Sequence, residues 1–140
     1  MKELDENLQV KIQELIDESD EMYDKDDIDP CLVILDNAWE MLPEPKTDWD
    51  ESYLISKEIA QTYFCSGNIE KAWDYIRIFI ECDNAQRNFG ESEFLAGKIA
   101  FELQKFEDAK AYFQIAETKS EGRQWKGESD PKYFQFFKRK

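Results

Sequence analysis

A chain of 140 residues, 36% charged and 14% aromatic, is long enough to bury a core in one domain and too rich in rings to be disordered. Its formal charge of −14 repels nucleic acid and anionic membrane, and the lack of any histidine removes the commonest general base and metal ligand. The acid is unevenly placed: residues 1–50 hold 4 Lys and Arg against 17 Asp and Glu, while residues 101–140 are mildly basic at +2.

Hydrophobic spacing predicts a first helix over Asp5–Tyr23, with Leu8, Ile12, Leu15, Ile16 and Met22 near helical period. A second is expected from Asp29 to Leu42, with Asp29 as cap and Pro30 in the first turn, where a missing N–H is harmless. Pro43 and Pro45 end it. Helices are then predicted over Asp50–Cys65, from the cap Asn68 to Asp83, over Glu91–Gln104 and over Phe106–Thr118. A polar, Gly-containing stretch over 119–129 reads as a loop. Asp130 caps a last short helix over 130–138, which begins at Pro131 and whose Tyr133, Phe134, Phe136 and Phe137 are placed to cover the end of the stack.

Cys31, Cys65 and Cys82 are odd in number, lack metal spacing and have apolar neighbours, so buried thiols in a reducing compartment are expected. No apolar run reaches the roughly 18 residues needed to span a bilayer, and Met1-Lys2-Glu3-Leu4-Asp5 does not open a signal peptide. The expected location is cytoplasmic.

The chain repeats itself. Ser19, Met22, Asp26, Cys31, Leu35 and Ala38 follow at steps of 3, 4, 5, 4 and 3, and Pro43 comes after them. Ala60, Tyr63, Gly67, Ala72, Ile76 and Phe79 use the same steps, as do Gly97, Ala100, Gln104, Ala109, Phe113 and Ala116. Such a cadence has a physical cause. A small residue in a first helix lets its partner approach, a turn residue ends that helix, and residues at steps of four and three line the inner face of the second. The expected fold is all-α: an α-α superhelix of three helix pairs, over about 5–43, 50–83 and 90–118, with a short capping helix.

These residues resemble the tetratricopeptide repeat (TPR), a helix-turn-helix unit of about 34 residues. The tryptophan early in that repeat's first helix is replaced by Leu15, Ser56 and Glu93, and only Gly67 and Gly97 keep the expected glycines. The chain is also similar to short bacterial repeat proteins with an acidic first helix, a segment like Ala38–Pro45 and an ending like Gly127–Lys138. Such proteins are often encoded beside polymorphic toxins and taken as their immunity proteins.

That resemblance implies a concave face lined by the first helix of each pair. It would present Gln13, Ile16, Asp17, Asp20, Tyr23 and Asp24, then Leu54, Lys57, Glu58, Gln61 and Phe64, then Glu91, Phe94, Leu95, Lys98, Phe101 and Glu102. Acids mixed with rings suit a partner that offers Lys or Arg beside apolar anchors. The plainer roles are core packing for the rings and a solvated helix face for Asp17, Asp20 and Asp24. Relatives that clamp a peptide carboxylate use Lys, Arg and Asn, where this chain has Ile16, Asp20, Glu58, Glu91 and Leu95, so that use is not expected.

Catalytic constellations are not legible. No Cys–His or Ser–His pair is available, and no Gly-rich phosphate loop occurs. Asp24-Lys25-Asp26-Asp27-Ile28-Asp29 resembles a calcium loop, but Ile28 stands at a ligand place and the glycine and distal glutamate are missing. Trp39 and Trp73 directly follow the small residues of second helices, which suits packing better than sugar or base stacking. The expectation is a non-enzyme without cofactor or metal, monomeric or weakly dimeric, that binds a protein such as a basic toxin domain. A general adaptor holding a peptide or helix is the alternative, and an acid-pair hydrolase a distant third.

Overall fold

A computed structural model describes residues 3–139. The sequence rhythm becomes helices α1 (Glu6–Asp24), α2 (Ile28–Glu40), α3 (Asp50–Cys65), α4 (Ile69–Gln86), α5 (Glu91–Glu102), α6 (Phe106–Ser120), α7 (Arg123–Lys126) and α8 (Pro131–Lys138), with a 3-10 turn at Lys46–Asp48. No strand occurs among the described residues. The pairs α1–α2, α3–α4 and α5–α6 pack internally, and α2–α3 and α4–α5 join them into an all-α superhelix closed by the short α8.

Each column of the repeat does one physical job. Asp26, Gly67 and Gln104 occupy the turn place, and all three have positive φ, at 63°, 88° and 61°. The caps match as well. The N–H groups of Asp26, Gly67 and Gln104 donate to the carbonyls of Tyr23, Phe64 and Phe101. Those of Asp27, Asn68 and Lys105 reach back to Met22, Tyr63 and Ala100, so each first helix ends in the same left-handed turn. The inner columns Cys31/Ala72/Ala109, Leu35/Ile76/Phe113 and Ala38/Phe79/Ala116 are all buried. The small residues Ser19, Ala60 and Gly97 are buried too, and a Cβ on Gly97 would lie 2.6 Å from the Phe113 ring. Close approach of α5 and α6 therefore depends on that missing carbon.

Several boundaries and one burial expectation need correction. The second helix starts at Ile28, so Asp29 lies inside its first turn, not at the cap, and stabilises the helix dipole there. Its C-terminal end is held by Lys46, whose Nζ donates to the carbonyls of Trp39 and Leu42 at 3.0 and 2.8 Å. The fourth helix outruns Asp83 because Gln86 ties its last turn to the start of α3, donating to Trp49 O at 2.8 Å and Ser52 Oγ at 3.0 Å. Asn68 and Asp130 cap as expected, accepting from the N–H groups of Lys71 and Lys132. The stretch 119–129 is not a plain loop, since it contains α7. Cys31 and Cys82 are buried, but Cys65 is exposed because it closes α3 on the open side of the turn.

Candidate functional site

The surface made by the first helices α1, α3 and α5 divides into an open acidic half and a closed half. In the first, α1 and α3 diverge around a cleft of about 390 Å³ lined by Asp20, Tyr23, Asp24, Glu58, Gln61, Thr62 and Cys65. Helical spacing sets Asp17, Asp20 and Asp24 on one stripe of α1, and Glu58 reaches the same space from α3. Burial, then the charges of Asp17 and Asp24, push the Asp20 carboxyl above its ordinary range. Burial, then Asp20, raise Glu58 against a smaller opposing pull from Lys57. Tyr23 stands beside Cys65, and that neighbour, then partial burial, pushes the phenol up.

No cation pairs with Asp17, Asp20, Asp24 or Glu58 among the described residues; Asp17 only accepts a bond from Gln13 Nε2 at 3.0 Å. Three carboxylates, Asp20, Asp24 and Glu58, thus share the cleft without an ion-pair partner, two of them partly desolvated, and Asp17 lies exposed one turn before them on the same stripe. An arriving guanidinium or ammonium group would relieve that repulsion and gain charge-assisted bonds.

The second half is satisfied internally. Lys57 Nζ lies 2.6 Å from Glu91, and the Tyr53 hydroxyl donates to the other Glu91 oxygen. Burial alone would raise the Glu91 pKa, but the bonds from Lys57 and Tyr53 outweigh it and hold the carboxyl below its ordinary range. Lys98 pairs with Glu128 at 3.2 Å. The segment around α7 leans over this half, so that Gln124, Gly127 and Glu128 leave only a recess of about 170 Å³ against Gln61, Phe94, Leu95 and Lys98.

Two site expectations, Ile16 and Phe94, are corrected, and Leu95, 5% exposed, is buried in the core as well. Ile16 is 3% exposed in the N-terminal core, because its side chain points back between α1 and α2. Phe94 is 6% exposed because Trp125 of α7 packs on its ring at 5.0 Å. Neither faces a partner. Phe101 is half-buried, but against Phe106, Tyr133 and Phe136 at the C-terminal end, away from the acidic cleft. Phe64 is half-buried, with the Lys98 ammonium 5.5 Å from its ring. Gln61 joins the two halves, lining both spaces. Sequence reading missed Thr62 and Cys65 as cleft residues and Glu128 as the partner of Lys98. The α3 spacing carried a signal for Thr62 and Cys65, one and four residues after Gln61; for Glu128 nothing local did.

No metal-competent cluster of His, Cys, Asp and Glu forms among the described residues. No described helix is long and apolar enough to cross a membrane. No family model matches the chain, and no curated protein is significantly similar to it in sequence.

Proposed function

We propose that this chain is a non-catalytic protein-binding module of tetratricopeptide type, and that it takes a basic segment of its partner into the cleft between α1 and α3. The observation that carries this reading is the set of three carboxylates without an ion-pair partner, Asp20, Asp24 and Glu58, around an open cleft, with Asp17 extending the acidic stripe of α1 beyond it. Tyr23, 41% exposed at the same cleft, supplies an amphipathic anchor. The resemblance to immunity proteins supports a bacterial toxin as that partner, blocked sterically at a basic surface. The absence of histidine and the internal pairing of Lys57 and Lys98 support binding over turnover.

The test is capture of partners by the tagged chain from its native lysate, at low and high salt, followed by titration of the purified partner. One stoichiometric basic toxin whose affinity falls as salt rises is the expected result. The triple reversal Asp17→Lys, Asp20→Lys and Asp24→Lys should abolish binding. A salt-insensitive complex, or one untouched by the reversal, removes the acidic cleft as the site. Several weak partners sharing a short motif, with affinity lost on Phe64→Ala, would replace the toxin by the adaptor reading.

A further inference from the structure

At the opposite end of the stack lies a groove of about 640 Å³ between the start of α6 and the length of α8, with the end of α5 as its floor. Three rings form an apolar patch: Phe101 lies 5.6 Å from Phe106 and 5.1 Å from Phe136, and Phe106 and Phe136 are 5.5 Å apart. Core rings this close would normally be covered, yet Phe106 is 46% exposed. The charge here is opposite to that of the rest of the chain. Lys110, Lys132 and Arg139 line the groove against one carboxylate, Glu107.

These cations are not equivalent. Lys132 is taken by Glu102 at 2.7 Å and Asp130 at 3.6 Å. Lys110 and Arg139 pair with no carboxylate among the described residues. They are held together instead, since Lys110 Nζ donates to the Arg139 carbonyl at 3.0 Å. Two cations without counter-ions thus sit beside an open aromatic patch, on a chain whose formal charge is −14.

We propose that this groove is a second docking site, for a linear acidic segment of a partner protein that places one large apolar side chain between carboxylates. The apolar group packs on Phe101, Phe106 and Phe136, and the flanking carboxylates meet Lys110 and Arg139. A trough between two helices and open to solvent suits a passing segment better than an enclosed small molecule. A second copy is disfavoured, because two chains of −14 each repel while only two free cations attract. The site is independent of the acidic cleft, so either reading can fail alone.

The experiment is fluorescence anisotropy with a labelled nonapeptide that sets one phenylalanine among glutamates, against a control with lysines in place of the glutamates. The acidic peptide should bind and the lysine peptide should not. Binding should weaken by about tenfold or more on the pair Lys110→Glu and Arg139→Glu, and separately on Phe106→Ala. Phe106 is surface-exposed, so the fold survives its loss; the reversal Asp17→Lys, Asp20→Lys and Asp24→Lys should leave this peptide bound. Equal binding of both peptides, or binding indifferent to the groove variants, overturns the proposal. So does N-acetylphenylalanine competing as strongly as the whole peptide, which would make the groove a small-molecule pocket. Sedimentation that shows the free chain self-associating, reversed by the Lys110 and Arg139 variants, would assign the groove to a second copy and overturn it likewise.

Discussion

At the residue scale, Asp20 shows how like charges gathered around a cleft oppose stability. It stands three residues after Asp17 and four before Asp24, so all three carboxylates occupy one helical stripe, and Glu58 meets Asp20 and Asp24 from α3. Like charges at these spacings destabilise a helix by a few tenths of a kcal/mol each. Asp20→Asn should therefore stabilise the free protein by about 0.5 kcal/mol at neutral pH while weakening the basic partner's binding. The pH dependence has a fixed sign. Asp20 and Glu58 have raised pKa values in the folded state, so their contribution to stability is present in acid and lost as pH rises through those values. The advantage of Asp20→Asn should shrink as pH falls from neutrality and Asp20 takes up a proton. Glu91 and Glu102 act in the opposite direction. Burial would raise each, but Lys57 and Tyr53 hold the first down, and Lys132 and Tyr133 the second. Their contribution is lost as pH falls through their lowered values. Urea denaturation of both proteins across the acid range checks this, and an Asn variant less stable than the parent at neutral pH would remove the repulsion from the account.

At the element scale, stability rests on repeated small-to-large contacts between paired helices. Gly97 against Phe113 is the tightest, with only 2.6 Å from a built Cβ to the ring. Phe113 is fully buried and touches Phe94, Trp125, Tyr133, Phe136 and Phe137, so it has little room to yield. Gly97→Ala would gain helix propensity of about 1 kcal/mol, but overpacking of this kind costs about 1–3 kcal/mol. The net expectation is a lower denaturation midpoint with an unchanged far-ultraviolet helical signal; a more stable variant would mean that α6 can withdraw. The same contact explains what was legible in the sequence. Steps of 3, 4, 5, 4 and 3 report local geometry, so the turn places and inner columns could be read directly, whereas the left-handed turn that stops α5 at Glu102, short of Gln104, could not. The helix over 123–126 could not. It is one turn long, too short for periodicity, and its place depends on the distant contact of Trp125 with Phe94 and Phe113. Ile16 and Phe94 were misassigned for a related reason. Spacing puts them on helices expected to line the concave face but does not say which neighbour covers them.

At the scale of the whole molecule, the chain is a short stack with chemically opposite ends. The N-terminal half keeps its carboxylates free around an open cleft, while α7 and α8 fold back over the third pair and bury its rings. A helical-repeat stack needs such an ending, because an unpaired last helix leaves an apolar face to water. Here α8 supplies it. Tyr133 is buried and its hydroxyl donates to Glu102 at 2.7 Å, Phe136 and Phe137 pack on Phe113, and Phe137 also packs on Trp125. Removing residues 130–140 would uncover Phe113, Phe101 and the face of Trp125 together. At about 1.5–3 kcal/mol for each large side chain, that loss is several kcal/mol, against the roughly 5–15 kcal/mol that holds an ordinary domain folded. The truncated chain should therefore melt at least about 10 °C lower, a shift that a loss of this size produces in a domain of this length. It should also bind a hydrophobic dye and aggregate at concentrations where the full chain stays dispersed. Calorimetry with dye binding on both chains provides the check. An unchanged melting temperature would mean that α8 only rests on the third pair, and that the aromatic face beneath it is stable in water without a cover.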